Sequence, residues 1–167
     1  MKVKNNVFLN YKDKFYKKEL NFIQLNNESG ELERLFQLII QIDSEFLFPL
    51  DQEEKLKTYC KKLIDNAHNF ILSDSECDIG ILSIYANDHK NKMAFTSTIG
   101  ILPSFRGGSI GVSLVKFAIE FAKEEGMEFY KAEVSKKNAK WLAFLQRYKF
   151  EIESETENDS YIIVRKL

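Results

Sequence analysis

The sequence offers little with which to cross-link itself or hold a metal. Its 167 residues include only two cysteines, Cys60 and Cys77, which match neither a zinc-ligand spacing nor a CxxC pair. They read as free thiols in a reducing compartment, and no metal is expected. A basic excess is also missing: 24 Lys and Arg stand against 25 Asp and Glu, a net charge of −1. No global positive field therefore recruits nucleic acid or an anionic membrane, and any anion must be held by a local device. No apolar run approaches membrane-spanning length. The first residues lack the apolar core and cleavage site of a signal peptide. These absences predict a soluble, cytoplasmic protein. Prolines number two, Pro49 and Pro103, each at an expected element boundary. With no repeat, low-complexity tract or Pro/Gly/Ser linker, residues 1–167 read as one domain.

What is present is a core. Hydrophobic residues make up 44% of the chain and Phe alone contributes fourteen, a composition that excludes disorder and suits a packed domain of this length. The Lys-rich opening to Glu19 yields no assignment. Residues 20–25 suit a first strand. Leu32, Leu35, Phe36, Ile39 and Ile40 recur at helical spacing and predict a helix that fades over 46–49. A second helix opens at Asp51 with Glu54 as a capping box. Its stripe is Leu56, Tyr59, Cys60, Leu63, Ile64 and Ala67, and His68 is expected at its end. Short β-type runs follow at 70–72 and 79–85, then a polar hairpin tip over 87–91. A longer strand over 94–102 places Thr96 and Thr98 on one face, with Phe95, Ile99 and Ile101 on the other. Pro103 stops it. A helix over 109–124, a strand over 129–135, a short helix over 138–147 and strands at 150–154 and 161–165 complete the chain. The order β-α-α-β-β-β-α-β-α-β-β predicts an α/β domain with a mixed sheet.

The stretch that carries chemistry is Ile101-Leu102-Pro103-Ser104-Phe105-Arg106-Gly107-Gly108-Ser109-Ile110-Gly111-Val112. A strand ends, a turn of small residues follows, and an amphipathic helix begins with its first amides unsatisfied. Those N–H groups and the helix dipole suit an anion. Gly107 and Gly108 allow close backbone approach and positive φ. Gly111 removes bulk, and Arg106 can add a charge-assisted bond at the rim. Plain helix punctuation is the competing reading of such a turn. It is neither a P-loop, since no Gly-Lys-Ser/Thr closes it, nor a Rossmann fingerprint.

This run resembles the Gln/Arg-x-x-Gly-x-Gly/Ala turn of the GNAT superfamily of N-acetyltransferases. The likeness extends to the preceding strand and Pro103, the following helix, the strand Lys131-Ala132-Glu133-Val134-Ser135, Asn138 and Phe150. It covers residues 78–167 well and the two N-terminal helices loosely. It implies a GNAT-like mixed central sheet of six to seven strands flanked by helices, with central parallel strands that splay. It also implies acetyl-CoA as cosubstrate. Main-chain groups of Ile99, Ile101 and Leu102 would meet the pantetheine arm. The amides of Gly107, Gly108, Ser109, Ile110, Gly111 and Val112 would hold the pyrophosphate beside Arg106. Asn138 would touch the arm or support its wall. Three positions depart from the pattern: Ser109 replaces a Gly, Lys149 replaces a Gly, and Leu145 stands where many members carry a Tyr that protonates the thiolate.

Acyl transfer needs a neutral amine. Glu133 is the candidate base, because ribosomal-protein acetyltransferases of the superfamily use a Glu at the matching position; a solvated strand residue is the alternative. Tyr148, one turn past Leu145, is the candidate acid, against a reading as a core aromatic. Water also suffices, since a thiol pKa near ~8.5 makes a tolerable leaving group. His89 in the hairpin tip reads as an exposed loop residue. The expected function is acetyl transfer from acetyl-CoA to a primary amine of a small molecule. The segment from Tyr85 to Phe95 resembles acetyltransferases of bacterial sugar-biosynthesis loci, which points to an amino-sugar nucleotide. A non-catalytic acyl-CoA sensor and a peptide or protein N-terminal acetyltransferase are the alternatives. Monomer and homodimer both stay open.

Overall fold

The computed structural model describes residues 6–42 and 52–167. Its elements in chain order are α1 (Asn6–Tyr16), β1 (Asn21–Gln24), α2 (Glu31–Ile42), α3 (Glu53–Asn66), β2 (His68–Ser73), β3 (Asp78–Asp88) and β4 (Met93–Ile101). A 3-10 turn (Pro103–Phe105) leads into α4 (Ile110–Glu124), β5 (Phe129–Ser135), α5 (Ala139–Arg147), β6 (Glu151–Glu155) and β7 (Ser160–Lys166). Seven strands form one mixed sheet in the order β1-β2-β3-β4-β5-β7-β6. The expected α/β architecture is present, and β4–β5 is its parallel pair.

Alternation along the strands feeds two cores. Ile71 and Ile81 point to one face, where they meet Leu35, Phe36 and Ile39 of α2 and Leu56, Cys60 and Leu63 of α3. Phe70, Leu72, Leu82 and Ile84 point to the other face and pack on Leu114, Phe117 and Phe121 of α4. Phe117 is the hub there, with edge-on contacts to Phe22 at 4.9 Å, Phe70 at 4.8 Å and Tyr11 at 5.3 Å. With both faces covered, β2 and β3 are near-continuously apolar.

Three expectations change. The unassigned opening forms α1, whose Val7, Phe8, Tyr11 and Phe15 recur at helical spacing and join the α4 core. It lies antiparallel to α4: the Asn6 amide donates to Glu124 at 2.9 Å, and Tyr11 donates to Glu120 at 2.9 Å. His68 opens β2 instead of ending a helix. Its ring stands edge-on to Phe121 at 5.0 Å, and burial lowers its pKa against a smaller opposing effect of Glu125. The expected capping box falls on Asp51, outside the described residues, as do the fading helix end and Pro49. Where α3 begins, Gln52 holds the cap position without a side-chain bond. Finally, β4 does not alternate cleanly. Ser83 faces Thr98 but Ile84 faces Thr96, so Ser97 is the extra residue of a β-bulge and the two threonines lie on either side of it.

Candidate active site

The parallel ladder between β4 and β5 is short. It runs from Met93↔Phe129 to Thr96↔Ala132 and stops, at the bulge. Beyond it β4 continues to Ile101 and β5 to Ser135 without pairing, so the strands part. The β5-facing edge of residues 97–101 then has no ladder partner. Backbone polar groups left open this way need another partner or water.

A cavity of about 580 Å³ occupies the gap. β4 lines it with Thr96, Ser97, Thr98 and Ile99, and β5 with Tyr130, Ala132, Glu133, Val134 and Ser135. α4 contributes Val115, Ala118 and Ile119; Asn138, Trp141 and Leu145 close one side. Phe36 and Ile40 of α2, with Glu53, Leu56 and Tyr59 of α3, close the other. Tyr59 was read as one of an apolar stripe. Its hydroxyl instead lies 2.6 Å from both Ser97 Oγ and Thr98 Oγ1, gripping the bulge. Tyr130 does the same from below, its hydroxyl bonded to Thr96 Oγ1, and burial keeps that phenol protonated by raising its pKa.

At the far end of β4, the turn before α4 has the expected form. Gly107 has φ of +89°, which only glycine takes without strain. A Cβ on Gly107 or Gly108 would meet nothing within 4 Å, so protein does not fill the space over the turn. The first α4 bond runs from Ser113 N–H to the Ser109 carbonyl. The amides of residues 107–112 have no partner among the described residues. Lys18, just past α1, donates to Ser109 Oγ at 3.1 Å and brings a positive charge to this helix end. Nothing in the opening sequence signalled that contact, because it depends on how α1 docks.

The remaining predicted residues divide. Arg106 sends Nε to the Ile101 carbonyl at 2.9 Å and Nη2 to the Ile42 carbonyl at 2.9 Å. Leu102 has its amide on the Ile79 carbonyl at 2.8 Å and its carbonyl under the Phe105 amide at 2.9 Å. That leaves Ile99 in the lining and Ile101 against Gly111, whose Cβ would lie 3.5 Å from Ile101 Cδ1. Asn138 caps α5 by accepting from Trp141 N–H at 3.3 Å. Its Nδ2 has no partner among the described residues. Glu133 is exposed in the lining, and its Oε1 accepts from the buried Ser160 hydroxyl. Leu145 lines the cavity and Tyr148 does not. Tyr148 packs on Phe144, ring centroids 5.0 Å apart, and its carbonyl accepts from Arg165 at 2.7 Å. Among the described residues no three or more His, Cys, Asp or Glu gather where a metal ion would sit. No described helix is long and apolar enough to cross a membrane.

The free amides, the open space above them and the unpaired β4 edge fit a long phosphorylated ligand carrying amides along its arm. The comparisons agree in fold. The chain resembles PaiA N-acetyltransferase from Thermoplasma acidophilum, solved with coenzyme A (TM-score 0.69, 15% identity, 89% of this chain and 99% of that one). It also resembles an acetyltransferase from Elizabethkingia anophelis with acetyl-CoA bound (TM-score 0.67, 14% identity, 89% and 99%). A third likeness is to the ribosomal-protein-S18-alanine N-acetyltransferase of Escherichia coli (TM-score 0.66, 16% identity, 87% and 90%). No curated protein sequence matches the chain. A family model described as acetyltransferase (GNAT) does, over residues 34–150, and the chain belongs to that family.

Proposed function

We propose that the protein transfers an acetyl group from acetyl-CoA to a primary amine of a small molecule. The observation that carries this is the gap between β4 and β5, which holds the open edge of β4 and a carboxylate on β5. The amides of residues 107–112, unpartnered among the described residues, follow where β4 ends. Acetyl-CoA would supply the activated thioester. The amides of residues 107–112 would bind its diphosphate. The β4 edge beyond Thr96 and Nδ2 of Asn138 would hydrogen-bond the pantetheine arm. Glu133 would take a proton from the acceptor ammonium, directly or through water, leaving the amine nucleophilic. Ser160 orients that carboxylate through Oε1 and leaves Oε2 without a partner among the described residues.

Leu145 favours a second reading, an acyl-CoA sensor without turnover, because the cavity offers no phenol at that position. Thiol release from acetyl-CoA with a panel of amines decides between the two. Release that depends on the amine is the expected result. Saturable coenzyme A binding with no release from any amine would overturn transfer and favour the sensor.

A further inference from the structure

The acceptor half of the cavity carries a charge pattern that narrows the substrate. Its charged lining residues are Glu53 and Glu133, on opposite walls; no Lys or Arg lines it among the described residues. The α2 and α3 side of the lining is mostly apolar, with Phe36, Ile39, Ile40 and Leu56 beside Gln37. Ile40 is 42% exposed. Such a wall cannot repay the desolvation of a phosphate. It suits a hydrocarbon chain.

Glu53 and Phe36 also already hold an ammonium. The Lys57 Nζ lies 3.2 Å from Glu53 Oε1 and 5.1 Å from the centre of the Phe36 ring. A carboxylate and an aromatic face together form a cation site. The resident pair is about half exposed at both ends, 47% and 54%, so water screens it and a competing cation can displace it. Glu133 is the carboxylate at the reacting end. Glu53 and Phe36 on one wall and Glu133 on another thus give the cavity two places that favour a cation, and the Lys57 that holds the first is not itself part of the lining.

We infer that the acceptor is a diamine: a primary amine reacting beside Glu133 and a second cation held by Glu53 and Phe36, joined by an apolar spacer. This rests on the transferase reading above, and it disfavours an amino-sugar nucleotide, whose diphosphate would face carboxylates. In the transfer, the ammonium beside Glu133 gives one proton to that carboxylate, and the neutral nitrogen bonds to the acetyl carbon. As the carbon–sulfur bond breaks, the nitrogen loses its second proton, which reaches the departing thiolate through water. The distal ammonium is unchanged.

The test compares 1,5-diaminopentane, pentylamine and glucosamine 6-phosphate by thiol release, with calorimetric binding of each measured in parallel. The diamine should exceed pentylamine about threefold in kcat/KM, because its second cation displaces Lys57 from the same ion pair and cation–π contact instead of entering a vacant site. Glu53→Gln should erase that advantage by raising KM for the diamine. Lys57→Gln, which vacates the site, should lower KM for the diamine. Equal turnover of diamine and pentylamine, or a preference for the phosphorylated amine, would overturn the inference and leave the transferase reading intact. Diamine binding that Glu53→Gln weakens, without thiol release, would keep the diamine site and sink the transferase reading.

Discussion

Arg106 Nη2 donates to the Ile42 carbonyl at 2.9 Å, tying the turn before α4 to the last residue of α2. Terminal helix carbonyls lack intrahelical partners, and the negative end of the dipole favours a cation there. The same guanidinium holds the Ile101 carbonyl through Nε, so it joins strand, turn and opposing helix. Arg106→Ala should lower Tm by about 3 °C, the equivalent of roughly 1 kcal/mol in a domain of this size. It should also weaken coenzyme A about tenfold. Scanning fluorimetry and calorimetry read the two effects separately. Unchanged Tm with weakened affinity would mean that the arginine acts on ligand alone.

The paired glycines behave differently on substitution. Gly107 sits at φ +89°, while Gly108 has an ordinary φ and open space around its Cα. Gly107→Ala should cost about 1 kcal/mol or more in stability, and Gly108→Ala well under that. Gly108→Trp should fold, since its Cβ would meet nothing within 4 Å, yet lose coenzyme A binding because the indole takes the ligand's place. Retained affinity in that variant would remove the turn from the site.

Legibility in the sequence followed locality. Residues 107–112 were readable because glycine spacing and an amphipathic helix are local patterns, and the positive φ of Gly107 is what such a turn demands. The strand 129–135 was readable for the same reason. Tyr59 was not: on a helical stripe it looks apolar, and only the fold carries its hydroxyl to the bulge. The bulge at Ser97 leaves no composition signal, since it is a mismatch in length between paired strands. α1 was hidden by its lysines, and Lys18 reaches Ser109 only because that helix docks antiparallel on α4. For Tyr148 the sequence leaves an acid and a core aromatic both open; the fold places it at the cap of α5 with its ring against Phe144, outside the lining.

Lys149 stands where the family pattern has glycine, and its φ is +65°. It directly follows the α5 cap, Tyr148, the place where helices favour a left-handed residue. A non-glycine side chain there costs roughly 1–2 kcal/mol, part of which glycine returns as unfolded-state entropy. Lys149→Gly should therefore raise Tm by about 2 °C and leave coenzyme A affinity unchanged. A lower Tm would show that the lysine side chain contributes packing that outweighs the strain.

Burial of His68 beside Phe121 makes stability depend on pH. Its folded pKa lies below the unfolded value of ~6.5, so between the two the unfolded chain binds more protons. The stabilisation is complete above ~6.5 and is lost as pH falls toward the folded pKa. Urea midpoints measured from pH 7.5 down to 5 should decline, and His68→Leu should flatten that decline. An identical slope in the variant would assign the acid sensitivity to other groups.

Glu133 and Ser160 are diagonal neighbours across the β5–β7 pair, where Glu133 lies opposite Ile162 and Ser135 opposite Ser160, and the buried hydroxyl donates to the carboxylate. If Glu133 takes the acceptor proton, Glu133→Gln should lower kcat about a hundredfold and remove the acidic limb of the rate profile, while coenzyme A affinity holds. Ser160→Ala removes the bond that orients the carboxylate, so kcat should fall about tenfold while KM for acetyl-CoA holds. That fall in kcat separates orientation of a base from simple support of the sheet. A purely structural serine would lower Tm and leave kcat where it was. The same profile for Glu133→Gln as for the native chain would take the carboxylate out of the chemistry and leave proton removal to water.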